Sequence, residues 1–133
     1  MARASLSLAK LARASAVHVG VAFAAMGGWT LFANRTHGSA AVAPALVQGV
    51  ISALITLVLK RLLEVFSARL SGPLAYVLPP LASASVILAL LIAVHRLIGT
   101  PEILATIAVP WSVSTLYAFV YTAALARGRH GRD

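Results

Sequence analysis

Gln48, Ser52 and Thr56 stand four residues apart in an apolar stretch, so on a helix they share one face, running toward Lys60. Polar side chains at membrane depth are the natural functional candidates in such a chain. Ser83 and Ser85 in the next apolar stretch, and Ser112, Ser114, Thr115 and Thr122 in the last, can face the same set. Two chemistries fit. One is a narrow hydrophilic path. The other is adhesion between helices, with Ser and Thr bonding carbonyls of their own helix and Gln48 satisfying a neighbour, including one bent at Pro110. Adhesion is the favoured reading.

Other residues exclude reaction classes. His18 and His95 fall near opposite ends of their apolar stretches, His37 lies in a polar turn, and His130 lies in the C-terminal tail. No His-x-x-x-His spacing occurs, so neither haem nor metal is expected. Glu64, Glu102 and Asp133 are separated along the chain and no G-x-S-x-G elbow is present, which argues against a Ser–His–acid triad. The absence of cysteine removes disulfides, thiolate metal sites and a cysteine nucleophile. No Asp, Glu, Lys or Arg falls in the middle of an apolar stretch, which argues against a proton-coupled antiporter or ion pump. A protein without enzymatic activity or cofactor is expected.

The elements that must position these groups follow from composition. Of 133 residues, 60% are hydrophobic and only 11% charged, too few to cover a soluble surface of this size. Windows of about 20 apolar residues, the length needed to cross a bilayer core, give four spans. They run roughly over residues 14–33, 42–59, 74–96 and 103–124. The first is read as a span rather than a signal peptide, because it is long for an h-region and a polar turn follows it. Ser71-Gly72-Pro73 and Gly99-Thr100-Pro101-Glu102 each place Pro where a helix begins. In the second, Thr100 is expected as N-cap, with Glu102 near the positive end of the helix dipole.

The expected fold is all-α, an integral membrane four-helix bundle, antiparallel and up-down. The basic residues orient it. Arg3, Lys10 and Arg13 precede the first span, Lys60, Arg61 and Arg69 separate the second and third, and Arg127, Arg129 and Arg132 follow the fourth. Only Arg35 and Arg96 fall in the alternate connections, so both chain ends are expected in the cytoplasm. The net charge of +8 is thereby explained by membrane flanks, and no nucleic-acid partner is expected.

Inside the bilayer, small residues let helices approach. Ala12, Ala16, Gly20, Ala24 and Gly28 recur at four-residue steps, and Ala16, Gly20, Ala24 and Gly28 are expected as a helix-packing face. Pro79, Pro80 and Pro110 are expected to kink their helices, with a bend or short break at the Pro79-Pro80 pair. Residues 60–70 keep helical periodicity, with Leu59, Leu62, Leu63, Phe66 and Leu70 on one side and Lys60, Arg61, Glu64 and Ser67 on the other. They read as an interfacial continuation of the second span. Trp29, Trp111, Tyr117 and Tyr121 read as membrane anchors.

Size and span count resemble those of small bacterial membrane families such as GtrA-like lipid-carrier flippases, small multidrug transporters and fluoride channels. The resemblance is architectural: the membrane-embedded Glu of small multidrug transporters and the Asn- and Phe-rich track of fluoride channels have no counterpart here. The expected function is a non-enzymatic accessory or scaffold subunit of a bacterial inner membrane, binding lipid or a larger membrane complex. A small oligomeric transporter or lipid-handling protein is the alternative. Tolerance of Gln48→Leu is expected under the first reading, and loss of activity under the second.

Overall fold

The computed structural model describes the backbone of residues 2–131 and the side chains of residues 9–129 and 131. The side chains of Arg3 and His130, and residues Arg132 and Asp133, lie outside the described residues. Four helices account for nearly all of the rest: α1 (Ala2–Ala33), α2 (Val42–Ser67), α3 (Leu74–Leu97) and α4 (Ile103–His130), with no strand among the described residues. At a rise of 1.5 Å per residue each is longer than the bilayer core of about 30 Å. All four are long and apolar enough to cross a membrane, and no more than 33% of any apolar window is buried inside the protein. The rest of that apolar surface faces outward.

Helices α1 and α2 pack as one pair, α3 and α4 as another, and α2 also touches α4 across the bundle. Among the described residues α1 and α3 do not meet. The α1–α2 and α3–α4 connections lie together, since His37 in the first reaches Glu102 in the second. This is the connection end. At the opposite end, the terminal end, the α2–α3 turn lies beside the last turns of α4, where Arg129 donates to the Ser67 carbonyl.

The close contact between α1 and α2 is made by Gly27 and Gly49. A Cβ on Gly27 would stand 3.0 Å from the Ala45 carbonyl oxygen, and one on Gly49 would stand 2.8 Å from Phe23 Cδ2. The expected packing face is therefore corrected: Ala16, Gly20, Ala24 and Gly28 are exposed, and a Cβ on Gly20 or Gly28 would meet nothing. A four-residue series rotates about 40° per step around a helix, so over the four steps from Ala12 to Gly28 it turns by about 160° and leaves any one face. The face that packs steps by three and four, through Phe23, Gly27, Thr30 and Asn34. Before Val19, the described side chains of α1 are all exposed.

Leu59, Leu63, Ile87, Leu91, Ile107 and Ala118 form the apolar core. Helix α2 continues unbroken through residues 60–67 and carries Leu59, Leu63 and Ser67 on its buried side. Ser67 thus lies opposite to its expected polar side, while Leu62 is exposed, because the buried face is turned toward α4. Helix α3 also runs unbroken through Pro79 and Pro80, both buried, so no break occurs there. The Ser83 hydroxyl donates to the Pro79 carbonyl at 2.8 Å.

Helix α3 stops at a Gly in the left-handed region, Gly99 with φ 68°. Gly99 N–H bonds the Arg96 carbonyl and Thr100 N–H bonds the His95 carbonyl, the paired bonds of a Schellman cap. Thr100 accordingly closes α3 and does not cap α4, which starts at Ile103 after Glu102. The local signal in Gly99-Thr100-Pro101 is a stop, with Pro following the cap it cannot extend.

Candidate functional site

The connection end gathers most of the buried polar side chains. Gln48, in the second turn of α2, and His95, in the last turn of α3, are both fully buried. His95 Nε2 lies 2.8 Å from Gln48 Oε1, and Gln48 Nε2 donates to Ser52 Oγ at 2.9 Å. With the amide so directed, its oxygen only accepts. A neutral His95 therefore carries its proton on Nε2, and its Nδ1 accepts from the Thr100 hydroxyl 2.7 Å away. Thr100 thus holds His95 twice, through its hydroxyl and through its backbone N–H, which bonds the His95 carbonyl at 2.9 Å.

A second cluster adjoins it around Asn34, also fully buried, at the end of α1. Asn34 Nδ2 donates to the Thr30 carbonyl at 2.9 Å and to Thr106 Oγ1 at 2.8 Å. Its Oδ1 accepts from the Glu102 backbone N–H at 2.9 Å, giving a partner to an amide at the start of α4. Trp29 Nε1 donates to the Ala105 carbonyl at 2.9 Å, so α1 grips the first turn of α4 from two positions. On the outside, His37 Nε2 and Glu102 Oε1 pair at 3.0 Å.

The expected polar face divides. Gln48 and Ser52 are buried and bonded together. Thr56, Ser83 and Ser85 instead bond carbonyls four residues back on their own helices, at 2.8, 2.8 and 2.9 Å. They do not join Gln48 in a continuous polar track. Gln48 reaches α3, not the proline-bearing α4. Trp111, expected as an anchor, instead makes a contact between helices, its Nε1 donating to the Ala84 carbonyl of α3 at 2.9 Å.

His95, Thr100, Asn34 and Thr106 were not among the expected site residues. The signal for His95 is present: Ile87, Leu91 and His95 stand at four-residue steps, and the first two are core residues. Thr30 and Asn34 likewise continue the face begun by Gly27.

At the terminal end Tyr121 donates to Glu64 Oε1 at 2.6 Å, and Arg61 lies 3.6 Å from Glu64 Oε2. The Tyr121 ring stacks on Tyr117 at 5.5 Å between centroids. Glu64 and Glu102 are thus each paired, at opposite ends of the bundle. No group of three metal-ligating side chains occurs among the described residues.

Every polar atom of the Gln48, His95 and Asn34 side chains has a partner inside the protein. Such an arrangement ties α2 to α3 and α1 to α4 at one end of the bundle. No protein-family model, no curated protein and no solved structure matches this chain.

Proposed function

We propose that this protein is a non-enzymatic multi-pass subunit of a bacterial inner membrane that binds lipid or a larger membrane complex. The observation that carries the reading is the closure of the polar cluster at the connection end: Gln48 and His95 are fully buried and satisfy one another. A transport pathway needs polar atoms that a solute can reach, and these are occupied. What the protein offers to its surroundings is apolar helix surface bounded by basic residues. Lys60, Arg61, Arg69, Arg127 and Arg129 belong to the terminal end, and Arg35 and Arg96 to the connection end. This asymmetry supports a cytoplasmic terminal end.

Substitution of Gln48 does not separate this reading from a small transporter, since it leaves buried His95 without a partner in either case. Native mass spectrometry of the protein released from mild detergent separates them. Retained phospholipid or a co-purifying membrane protein is expected. A bare chain with neither, from cells expressing it at native level, would overturn the reading.

A further inference from the structure

We propose that the groove between α2 and α3 holds an acyl chain of an anionic phospholipid, with the lipid phosphate on Arg69. The proposal rests on the reading above of a lipid-binding membrane subunit and names the site. The groove encloses about 560 Å³ and is lined by Leu54, Val58, Leu62 and Phe66 of α2 and by Val86 and Leu90 of α3, with Arg69 at one end. It lies between helices that meet far less than α1 and α2 do, and its rims are exposed apolar side chains. In a bilayer such a cleft opens sideways into hydrocarbon.

Length and charge select the occupant. Leu54 to Ser67, the end of α2, is about 20 Å of helix at 1.5 Å per residue, and Arg69 lies in the turn just beyond it. One leaflet of a hydrocarbon core of about 30 Å is about 15 Å deep, so the groove covers one leaflet and reaches the headgroup level. A partner helix crossing the whole core would need a longer seat. Arg69 has no carboxylate partner among the described residues, whereas Arg61 pairs with Glu64 and Lys60 lies over the Tyr121 ring, away from the groove. The only other polar lining group, Ser83, already donates to the Pro79 carbonyl and asks nothing of a ligand. An apolar slot closed by an unpaired guanidinium matches an acyl chain followed by a phosphate, which Arg binds in bidentate fashion.

Two experiments test this. In the first, unaltered protein is reconstituted with phosphatidylglycerol carrying a photoreactive group in its acyl chain, and labelled peptides are mapped. Labels concentrated on residues 54–66 and 82–90 are expected; labels spread evenly over α1 and α4 would overturn the proposal. In the second, native mass spectrometry counts adducts after addition of phosphatidylglycerol or phosphatidylcholine. Arg69→Gln is expected to reduce the phosphatidylglycerol adduct roughly fivefold and phosphatidylcholine little, from the contribution of one basic residue at an anionic surface. Ala82→Trp, which fills the slot, is expected to reduce both, and Arg127→Gln neither. Lipid that stays bound in Arg69→Gln and Ala82→Trp overturns this site while sparing the broader reading. Absence of any bound lipid or partner overturns both. A dimer that Ala82→Trp dissociates would make the groove a contact between copies and overturn the lipid assignment.

Discussion

Gln48 and His95, 47 residues apart in sequence, meet at 2.8 Å with no exposed surface on either. The contact joins the second turn of α2 to the last turn of α3, and Thr100 extends it to the cap that ends α3. At the same end of the bundle Asn34 ties α1 to α4. Between helices in lipid no hydrophobic force acts, so close packing and hydrogen bonds must hold the register. The connection end supplies the bonds, and Gly27 with Gly49 supplies the close approach.

Removing one member of the His95–Gln48 pair leaves the other buried and unpaired, which costs about 1–3 kcal/mol. Gln48→Leu and His95→Leu are each expected to lower the unfolding midpoint in detergent. The double variant should cost less than the sum of the two by about 0.5–2 kcal/mol, within the range for residues in contact. Strict additivity in a thermal or denaturant double-mutant cycle would show that the bond does not couple α2 to α3.

Glycine substitutions along α1 distinguish the packing face from the exposed one. Gly27→Val drives a side chain toward the Ala45 carbonyl, and overpacking of this kind costs about 1–3 kcal/mol. Gly20→Val and Gly28→Val meet open space and are expected to change stability by no more than about 0.5 kcal/mol. The measurement is the unfolding midpoint of the three variants in one detergent. Equal losses in all three would place a second helix or another copy against the exposed stripe.

The number of helices and the turns between them were legible in the sequence, because apolar runs of about 20 residues bounded by Gly, Pro and basic residues leave little freedom. The outer ends were not: α1 (Ala2–Ala33) begins well before residue 14 and α4 (Ile103–His130) runs past residue 124. The site was half legible. Gln48 and Ser52 stood out as polar groups in an apolar run, but their partner did not, because a histidine near a helix end reads equally as an interface residue. Only the alignment of His95 with Ile87 and Leu91 marks it as inward-facing, and that requires knowing which face of α3 is buried. The adjacent glycines Gly27 and Gly28 posed the same problem on α1. One residue is a turn of about 100°, enough to move a contact from the neighbour to lipid. Thr100 was misplaced for a different reason: the four residues from Gly99 to Glu102 contain both a helix stop and a helix start, and the Thr100 hydroxyl is turned to His95 Nδ1 at the stop.

Gly99 and Thr100 test that stop separately. Gly99→Ala forces a Cβ into the left-handed region at φ 68°, at a cost of about 1–2 kcal/mol. Thr100→Val keeps the backbone bond to the His95 carbonyl but leaves His95 Nδ1 without its donor. Both variants should lose stability. Only Thr100→Val should move the His95 ring nitrogen resonances in ¹⁵N spectra, because only it changes what Nδ1 contacts. An unshifted Nδ1 in Thr100→Val would remove the hydroxyl from the network.

Orientation in the membrane can be measured directly, since the chain has no cysteine and any introduced thiol is unique. Ser39, exposed in the α1–α2 connection, and Ser71, exposed in the α2–α3 turn, lie at opposite ends of the bundle. With the basic terminal end in the cytoplasm, Ser39→Cys should react with a membrane-impermeant maleimide in intact spheroplasts. Ser71→Cys should react only after the membrane is opened. The opposite pattern would invert the protein and move the Arg69 end of the α2–α3 groove to the outer leaflet. Equal labelling of both would mean that the charge asymmetry does not fix one orientation, as in proteins whose copies insert both ways. Because Arg35 and Arg96 are the only basic residues at the connection end, adding two lysines beside Ser39 should shift the labelling toward the inverted pattern.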